Sequence, residues 1–333
     1  MSRKQLETEQ QIAFVKDFFS KTLSKKLNLI PISSPLIVFD GTGINDDLNG
    51  IERPVRFPIK SMNDKTAVVV HSLAKWKRIR LKQYQINEEE GILTNMNALR
   101  PDEDYSKIHS IYVDQWDWEI RINKTNRTID YLKEKVKSIY KSILETERAI
   151  FDSYPEIEPV LPQQITFIHT EELLQLYPNL TAKEREHKIT EKYGAIFLIG
   201  VGGKLSSGEI HDGRAADYDD WSTETELGKG LNGDILVWNP ILKESFELSS
   251  MGIRVDKMAL TRQLAERNEE SKLELAYHQM IMNDEIPLSI GGGIGQSRLC
   301  MFLLRKQHIG EVQVSLWDED IKLELTKTEI HLL

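Results

Sequence analysis

Cysteine is all but missing from this chain of 333 residues: Cys300 stands alone. One thiol excludes an intramolecular disulfide framework and a multi-cysteine metal site, and it suits a reducing compartment. A basic block is missing too. The 43 lysines and arginines are spread among 52 acidic residues, for a net charge of −9, so a phosphate backbone is not the default partner and no nucleic acid is expected. No apolar run reaches the length of a bilayer crossing. Residues 1–10 are charged rather than apolar, so no secretory signal is read there. Internal repeats and low-complexity linkers are likewise absent. These absences lead us to expect a soluble, cytoplasmic protein with no membrane partner, long enough for one large domain or two smaller ones.

What is present is strong patterning. Ile12, Val15, Phe19, Leu23 and Leu27 recur at steps of three and four, which predicts an amphipathic helix over 7–28. A strand over 29–39 follows, with Pro31 and Pro35 marking an edge or packed boundary. Next come a glycine- and Asp/Asn-rich loop at 40–49 and a short alternating strand at 55–59. An apolar strand at 67–70 runs into a basic helix at 71–78, whose charges read most simply as a solvated face. A strand at 94–99, a polar turn at 100–104 and a long strand at 108–122 make an antiparallel hairpin. Helices are expected at 129–151 and 171–177, and a third runs to Tyr193 behind a Thr181/Glu184 capping box. Further strands fall at 165–168, 195–201, 234–238 and 246–249, and two helices within 256–283. The polar stretch 202–233 is longer than a plain connection in a compact domain and reads as functional. A mostly antiparallel sheet carrying helices is an α+β arrangement.

The densest chemical signal is Gly291-Gly292-Gly293-Ile294-Gly295-Gln296-Ser297-Arg298, read as a strand at 288–290 entering a glycine turn before an apolar helix. Glycines at 291, 293 and 295 let backbone approach something flat or anionic, and Arg298 in the first helical turn could address phosphate. A tight strand-to-helix turn would use the same glycines. If residues 239–242 form a hairpin apex, counting outward sets Asp234 opposite Glu247. Facing like charges destabilise a ladder unless a cation lies between them, as magnesium does between carboxylates and nucleotide phosphates. Ser249 and Ser250 would add oxygen ligands. Arg100 and Glu103 flank a proline turn: a bidentate cation suits an α-phosphate, and a carboxylate can accept from an adenine amine, although a solvated turn looks the same. Gln115 and Asp117 share one strand face and Trp116 and Trp118 the other, so the polar pair could hold a small polar substrate. Turn formation alone explains Asp46. The segment 214–221 packs charge and aromatics too densely for a linker.

Together these residues resemble a known family. Gly291-x-Gly293-x-Gly295-x-x-Arg298 is similar to the third signature of class II aminoacyl-tRNA synthetase catalytic domains, and the Arg100/Glu103 hairpin to the second. The Gln/Glu-rich first helix with Leu29-x-x-Ile32-x-x-Pro35-Leu36-Ile37 resembles the first, which in that family forms the dimer interface. The runs 71–78 (His-Ser-Leu-Ala-Lys-Trp-Lys-Arg), 112–118 (Tyr-Val-Asp-Gln-Trp-Asp-Trp), 217–222 (Asp-Tyr-Asp-Asp-Trp-Ser) and 246–254 (Phe-Glu-Leu-Ser-Ser-Met-Gly-Ile-Arg) resemble the ammonia-dependent aspartate–ammonia ligases, the A-type asparagine synthetases, over nearly the whole chain.

That resemblance implies a single class II synthetase-like catalytic domain over 1–333, a homodimer formed through residues 7–38, and a ligase using aspartate, ammonia, ATP and Mg2+. The aspartate side chain would be adenylated with loss of pyrophosphate, and ammonia would then displace AMP. Arg100 and magnesium at Asp234 and Glu247 would stabilise the α-phosphoryl group. Arg298, with Gly293 and Gly295, would hold the γ-phosphate or cover adenine. Asp46, Asp117 and Asp219, with Gln115 beside them, would face the substrate ammonium, and one of these aspartates would take the proton of an incoming ammonium. Lys77 or Arg214 would meet the α-carboxylate, with Ser72 and Ser250 completing the substrate pocket. The second signature usually has one residue between its arginine and its acid. Here Pro101 and Asp102 intervene, so Asp102 stands beside Glu103 as the adenine candidate. Releasing ammonia from glutamine normally needs a cysteine nucleophile; residue 2 is Ser2, and Cys300 reads as a buried structural thiol, so free ammonia is the expected donor. An aspartyl- or asparaginyl-tRNA synthetase should carry an anticodon-reading domain and a basic surface, neither evident here. A non-enzymatic adaptor should have lost Arg100, Arg298 or the acidic pair.

Overall fold

Alternating apolar residues build an eight-stranded sheet in the computed structural model, which describes residues 3–46, 48, 52–328 and 330–333. The expectations for Met1, Ser2, Asp47 and Asn49 lie outside the described residues. The strands are β1 Leu29–Pro31, β2 Gly91–Leu99, β3 Tyr112–Arg121, β4 Thr166–His169, β5 Ala195–Ile199, β6 Asn232–Asn239, β7 Glu244–Ile253 and β8 Ser289–Gly295. Their spatial order is β1-β2-β3-β8-β7-β6-β5-β4. The five inner pairings are antiparallel, and only the two outermost, β1 with β2 and β4 with β5, are parallel. The expected α+β, mostly antiparallel architecture is what forms.

One face of this sheet is apolar. Helices α1 Arg3–Leu27, α3 Ile129–Ser153 and α5 Gln296–Leu303 pack there on Trp116, Trp118, Phe246 and Ile294. The i, i+3, i+4 stripe of α1 supplies Ile12, Val15, Phe19 and Leu23, and Phe19 meets Trp116 with ring centroids 4.7 Å apart, a contact worth about 1 kcal/mol beyond its burial. Cys300 sits in this layer, where burial pushes its thiol up to about 12, so it is inert. The opposite face carries α2 Ala74–Gln83 over its centre and α4 Ala182–Tyr193 toward the β4 edge, where Leu198 and Leu236 pack on Ile189.

Several local expectations are corrected. The strand read over 29–39 is two: Pro31 ends β1, and Ile37–Phe39 belongs to a separate three-stranded sheet with Arg56–Ile59 and Lys65–Val69. The helix expected at 71–78 starts at Ala74, and Lys75, Lys77 and Arg78 are buried rather than solvated: Lys77 meets groups of β3 and β8, Lys75 pairs with Asp217, and Arg78 donates to the carbonyls of Val255 and Pro287. The glycine turn is no turn. Residues 289–295 are a continuous central strand with no left-handed glycine, and the helix begins only at Gln296.

Candidate active site

Strand β3 explains the floor of the site. With a period of two, Trp116, Trp118 and Ile120 enter the apolar layer while Gln115, Asp117 and Glu119 stand on the other face. Strand β8 runs beside it with Gly295, Gly293 and Gly291 directly opposite those three polar residues. A methyl group at Gly291 would sit 1.9 Å from the Glu119 carboxylate, and one at Gly293 would sit 2.5 Å from Oε1 of Gln115. The alternating glycines therefore make room for a row of polar side chains and for a cleft of about 480 Å³ above them. The phosphate-cradling turn expected from this motif is replaced by a bare strand.

At one end of the cleft, charges are buried and paired. Lys77 Nζ donates to Asp117 Oδ1 at 2.6 Å and to the carbonyls of Trp118 at 3.1 Å and Gly292 at 3.0 Å. Burial pulls the Lys77 pKa below its ordinary value despite Asp117 and Glu119. Arg254 donates to Glu119 at 2.8 and 3.0 Å and also to Asp219. Burial opposes ionisation of Glu119, but Arg254 and Lys77 outweigh it and hold the carboxyl below its usual range. Asp219 goes the other way: burial, with Glu119 adding to it, lifts its pKa against the pull of Arg254 and Arg214. Asp117 Oδ2 is buried with no partner among the described residues. Asp46 is buried at the cleft wall, where it accepts from Ser72 Oγ at 2.8 Å.

The other end is more open. Among the described residues the Arg100 side chain reaches the His71 carbonyl at 3.3 Å and Glu103 at 4.0 Å, and its buried Nε has no partner there. Asp102 is held by Arg53 through its side chain and backbone and has a pKa near 2, because those hydrogen bonds stabilise its anion. Arg298 donates to His109 Nε2 at 2.7 Å and lies 3.7 Å from Glu247. Burial and the neighbouring Arg298 lower the His109 pKa to about 4, so its ring is neutral and can accept.

Asp234 does not face Glu247. The hairpin closes through a longer turn, with Asn239 opposite Glu244, and a β-bulge at Leu248 shifts the register, so Asp234 faces Ser250 and Leu236 faces Glu247. The bulge has a use. Glu247 and Ser250 are three apart and would point to opposite faces of a regular strand; the extra residue puts both on the cleft side with Asp234. Burial, relieved in part by Arg214 and reinforced by Glu247, raises the Asp234 carboxyl to about 7. Arg214 donates to both of its oxygens. Ser249, expected as an oxygen ligand, instead donates to the Gly293 carbonyl at 2.9 Å. No group of three or more His, Cys, Asp or Glu able to hold a metal occurs among the described residues; Asp234 and Glu247 offer two.

The site residues expected from the sequence line this one cleft with the exception of Asp234, which is covered by Arg214. Glu119, Arg254 and His109 were missed. The first was signalled by the same period of two that marks Gln115 and Asp117, and the second ends the run 246–254 on which the family resemblance rests.

The architecture defines the class. Solved structures that match include asparaginyl-tRNA synthetase from Pyrococcus horikoshii complexed with asparaginyl-adenylate, with TM-score 0.69 at 14% identity over 92% of this chain and 68% of that one. Aspartyl-tRNA synthetase from Entamoeba histolytica matches with TM-score 0.61 at 14% identity, over 94% of this chain and 58% of that one. At such identity the likeness is one of fold, that of class II synthetases. Sequence is more specific: the family model for aspartate-ammonia ligase matches residues 6–329. The aspartate–ammonia ligase of Bacteroides thetaiotaomicron is 57% identical over 98% of this chain and 95% of its own length, and that of Clostridium perfringens 54% identical over the same shares. The chain belongs to the aspartate–ammonia ligase family.

Proposed function

We propose that the two ends of the cleft divide the work of asparagine synthesis from aspartate, ammonia and ATP, the reaction of this family, with residues 1–333 acting as one catalytic domain. The buried end receives aspartate. Its ammonium meets the unpartnered oxygen of Asp117, with Gln115, Asp46 and Ser72 alongside, and its α-carboxylate meets Lys77 or Arg214, with Ser250 nearby. The open end receives ATP, with Arg100 on the α-phosphate, Glu103 at the adenine amine and Arg298 over the nucleotide. Asp102 is already engaged by Arg53, which favours Glu103 for the adenine contact. Asp234 and Glu247, two carboxylates on the cleft side of β6 and β7, would hold Mg2+ once Arg214 releases Asp234, and an ion there would supply positive charge against the transferring phosphoryl group.

The aspartate side-chain carboxylate then attacks the α-phosphorus, pyrophosphate leaves, and the resulting β-aspartyl adenylate is met by ammonia. Arg100 stabilises the oxygen charge that develops in both steps. Asp219, whose affinity for a proton is raised, suits the acceptance of a proton from ammonium. The observation that carries this reading is the meeting, in one cleft, of a buried carboxylate oxygen without a partner among the described residues and an arginine held there by only weak contacts.

The test is isotopic. Aspartate labelled with 18O in the side-chain carboxylate should pass one labelled oxygen to AMP; label in inorganic phosphate would overturn the adenylate. We further propose a homodimer through residues 7–38, supported by the exposed apolar residues Ile30, Leu36 and Ile37, and a cytoplasmic location. None of the described helices is long and apolar enough to cross a membrane. Light scattering on the purified chain reports the oligomer directly.

A further inference from the structure

The first turn of any helix leaves backbone N–H groups that need acceptors, normally supplied by a Ser, Thr, Asp or Asn side chain just ahead of it. Helix α5 is preceded by Gly295, which has no side chain to give. Nor can it have one cheaply: a methyl group there would stand 3.2 Å from Cβ of Arg298, whose side chain folds back over the strand. The acceptor comes from another strand instead. Asp114 of β3, buried, takes the Ser297 N–H at 2.9 Å and the Ser297 hydroxyl at 2.6 Å through the same oxygen. Its second oxygen receives Lys16 Nζ of α1 at 2.9 Å. Ser297 Oγ in turn accepts from Gln313 at 3.0 Å, and Gln313 accepts from Ser110 at 2.6 Å, at the end of the loop that carries His109. The two partners of this network, Ser297 and Ser110, are thus the immediate sequence neighbours of Arg298 and of the His109 that receives it at 2.7 Å.

We propose that Asp114 is a positioning residue for nucleotide binding: as a remote cap it fixes the start of α5, and with it the place of Arg298 over the cleft. A carboxylate at a helix start also complements the helix dipole, and Lys16 holds that carboxylate in place from α1. The proposal rests on the reading that Arg298 meets ATP, and a double-mutant cycle keeps the two ideas apart.

Asp114→Ala should raise KM for ATP about tenfold and leave KM for aspartate within about twofold, whereas Arg298→Ala alone should raise KM for ATP at least as much. In the Arg298→Ala background, Asp114→Ala should add less than about twofold. Full additivity would overturn the positioning role, because Asp114 would then act on the fold at large. No change in KM for ATP on Arg298→Ala would overturn the reading of Arg298 instead. Asp114→Asn, which keeps an acceptor for the Ser297 N–H, serves if the alanine variant fails to fold. It should recover most of the ATP affinity relative to Ser297→Pro, which removes that N–H; equal losses in both would also refute the role.

Discussion

The two ends of the cleft are built differently. At the buried end, proposed for aspartate, Lys77, Asp117, Glu119, Arg254 and Asp219 form a closed set of ion pairs, every member at most 3% exposed. At the open end, proposed for the nucleotide, Arg100, Glu103, Arg298 and Glu247 are half-buried, with ion-pair distances of 3.7 to 4.0 Å. A buried charge costs several kcal/mol unless it is paired, so the inner set must be satisfied by the protein before a substrate arrives, and Asp117 Oδ2 is its buried oxygen without a partner among the described residues. The outer groups keep part of their hydration and can wait for phosphate. On the proposed assignment, recognition of the small amino acid is thus preformed, whereas recognition of the nucleotide is assembled when it binds.

Substitutions at the two ends should separate activity from stability. Arg100→Ala should lower kcat about 10³-fold, the scale of losing a donor aimed at developing charge, with a melting temperature close to that of the parent; a large fall in melting temperature would erase the contrast. Lys77→Met should fail differently. Removing one partner of a buried pair costs about 3–5 kcal/mol, so denaturant unfolding should show that loss together with a fall in kcat/KM for aspartate, and an unchanged midpoint would mean that the inner set is not a closed unit. Glu103→Ala should raise KM for ATP by about tenfold, whereas Asp102→Ala, which breaks only an exposed pair, should change it less than about twofold. Reversal of that order in steady-state kinetics would hand the adenine contact to Asp102.

The smallest effect concerns pH. The ordinary histidine value is about 6.5, and His109 in the folded chain is lowered to about 4. Between those values the unfolded chain binds a proton that the folded chain refuses, so stability falls as pH drops from 6.5 toward 4 and is fully present above 6.5. His109→Gln should therefore narrow the difference in melting temperature between pH 7.5 and pH 5, by about a degree or two since the ring is partly exposed.

Periodicity made much of this legible. The stripe of α1, the split faces of β3 and the Thr181/Glu184 box, which forms with both of its hydrogen bonds, are local patterns, and local patterns survive folding. The misreadings all involve a second chain segment. Gly291, Gly293 and Gly295 look like a turn until Glu119, Asp117 and Gln115 are known to lie opposite them. The charges of α2 look solvated until Asp117 and Gly292 of the sheet, Asp217, and the carbonyls of Val255 and Pro287 are known to meet them. The facing of Asp234 and Glu247 failed on a turn two residues longer than the count assumed and on one further inserted residue, Leu248, neither of which counting along one strand can reveal. Glu119 was within reach, one step further along an alternation already recognised at Gln115 and Asp117.

The glycine strand also limits how this site can be remodelled. A pocket lined by side chains can be enlarged by trimming them, one substitution at a time. Beneath this cleft runs bare main chain, with no side-chain atoms left to remove, and a Cβ added at Gly291 or Gly293 collides with a neighbouring polar group. Adapting the enzyme to a longer acid must therefore proceed through the walls, where the side chains that can give way are the ones whose charges hold one another in place.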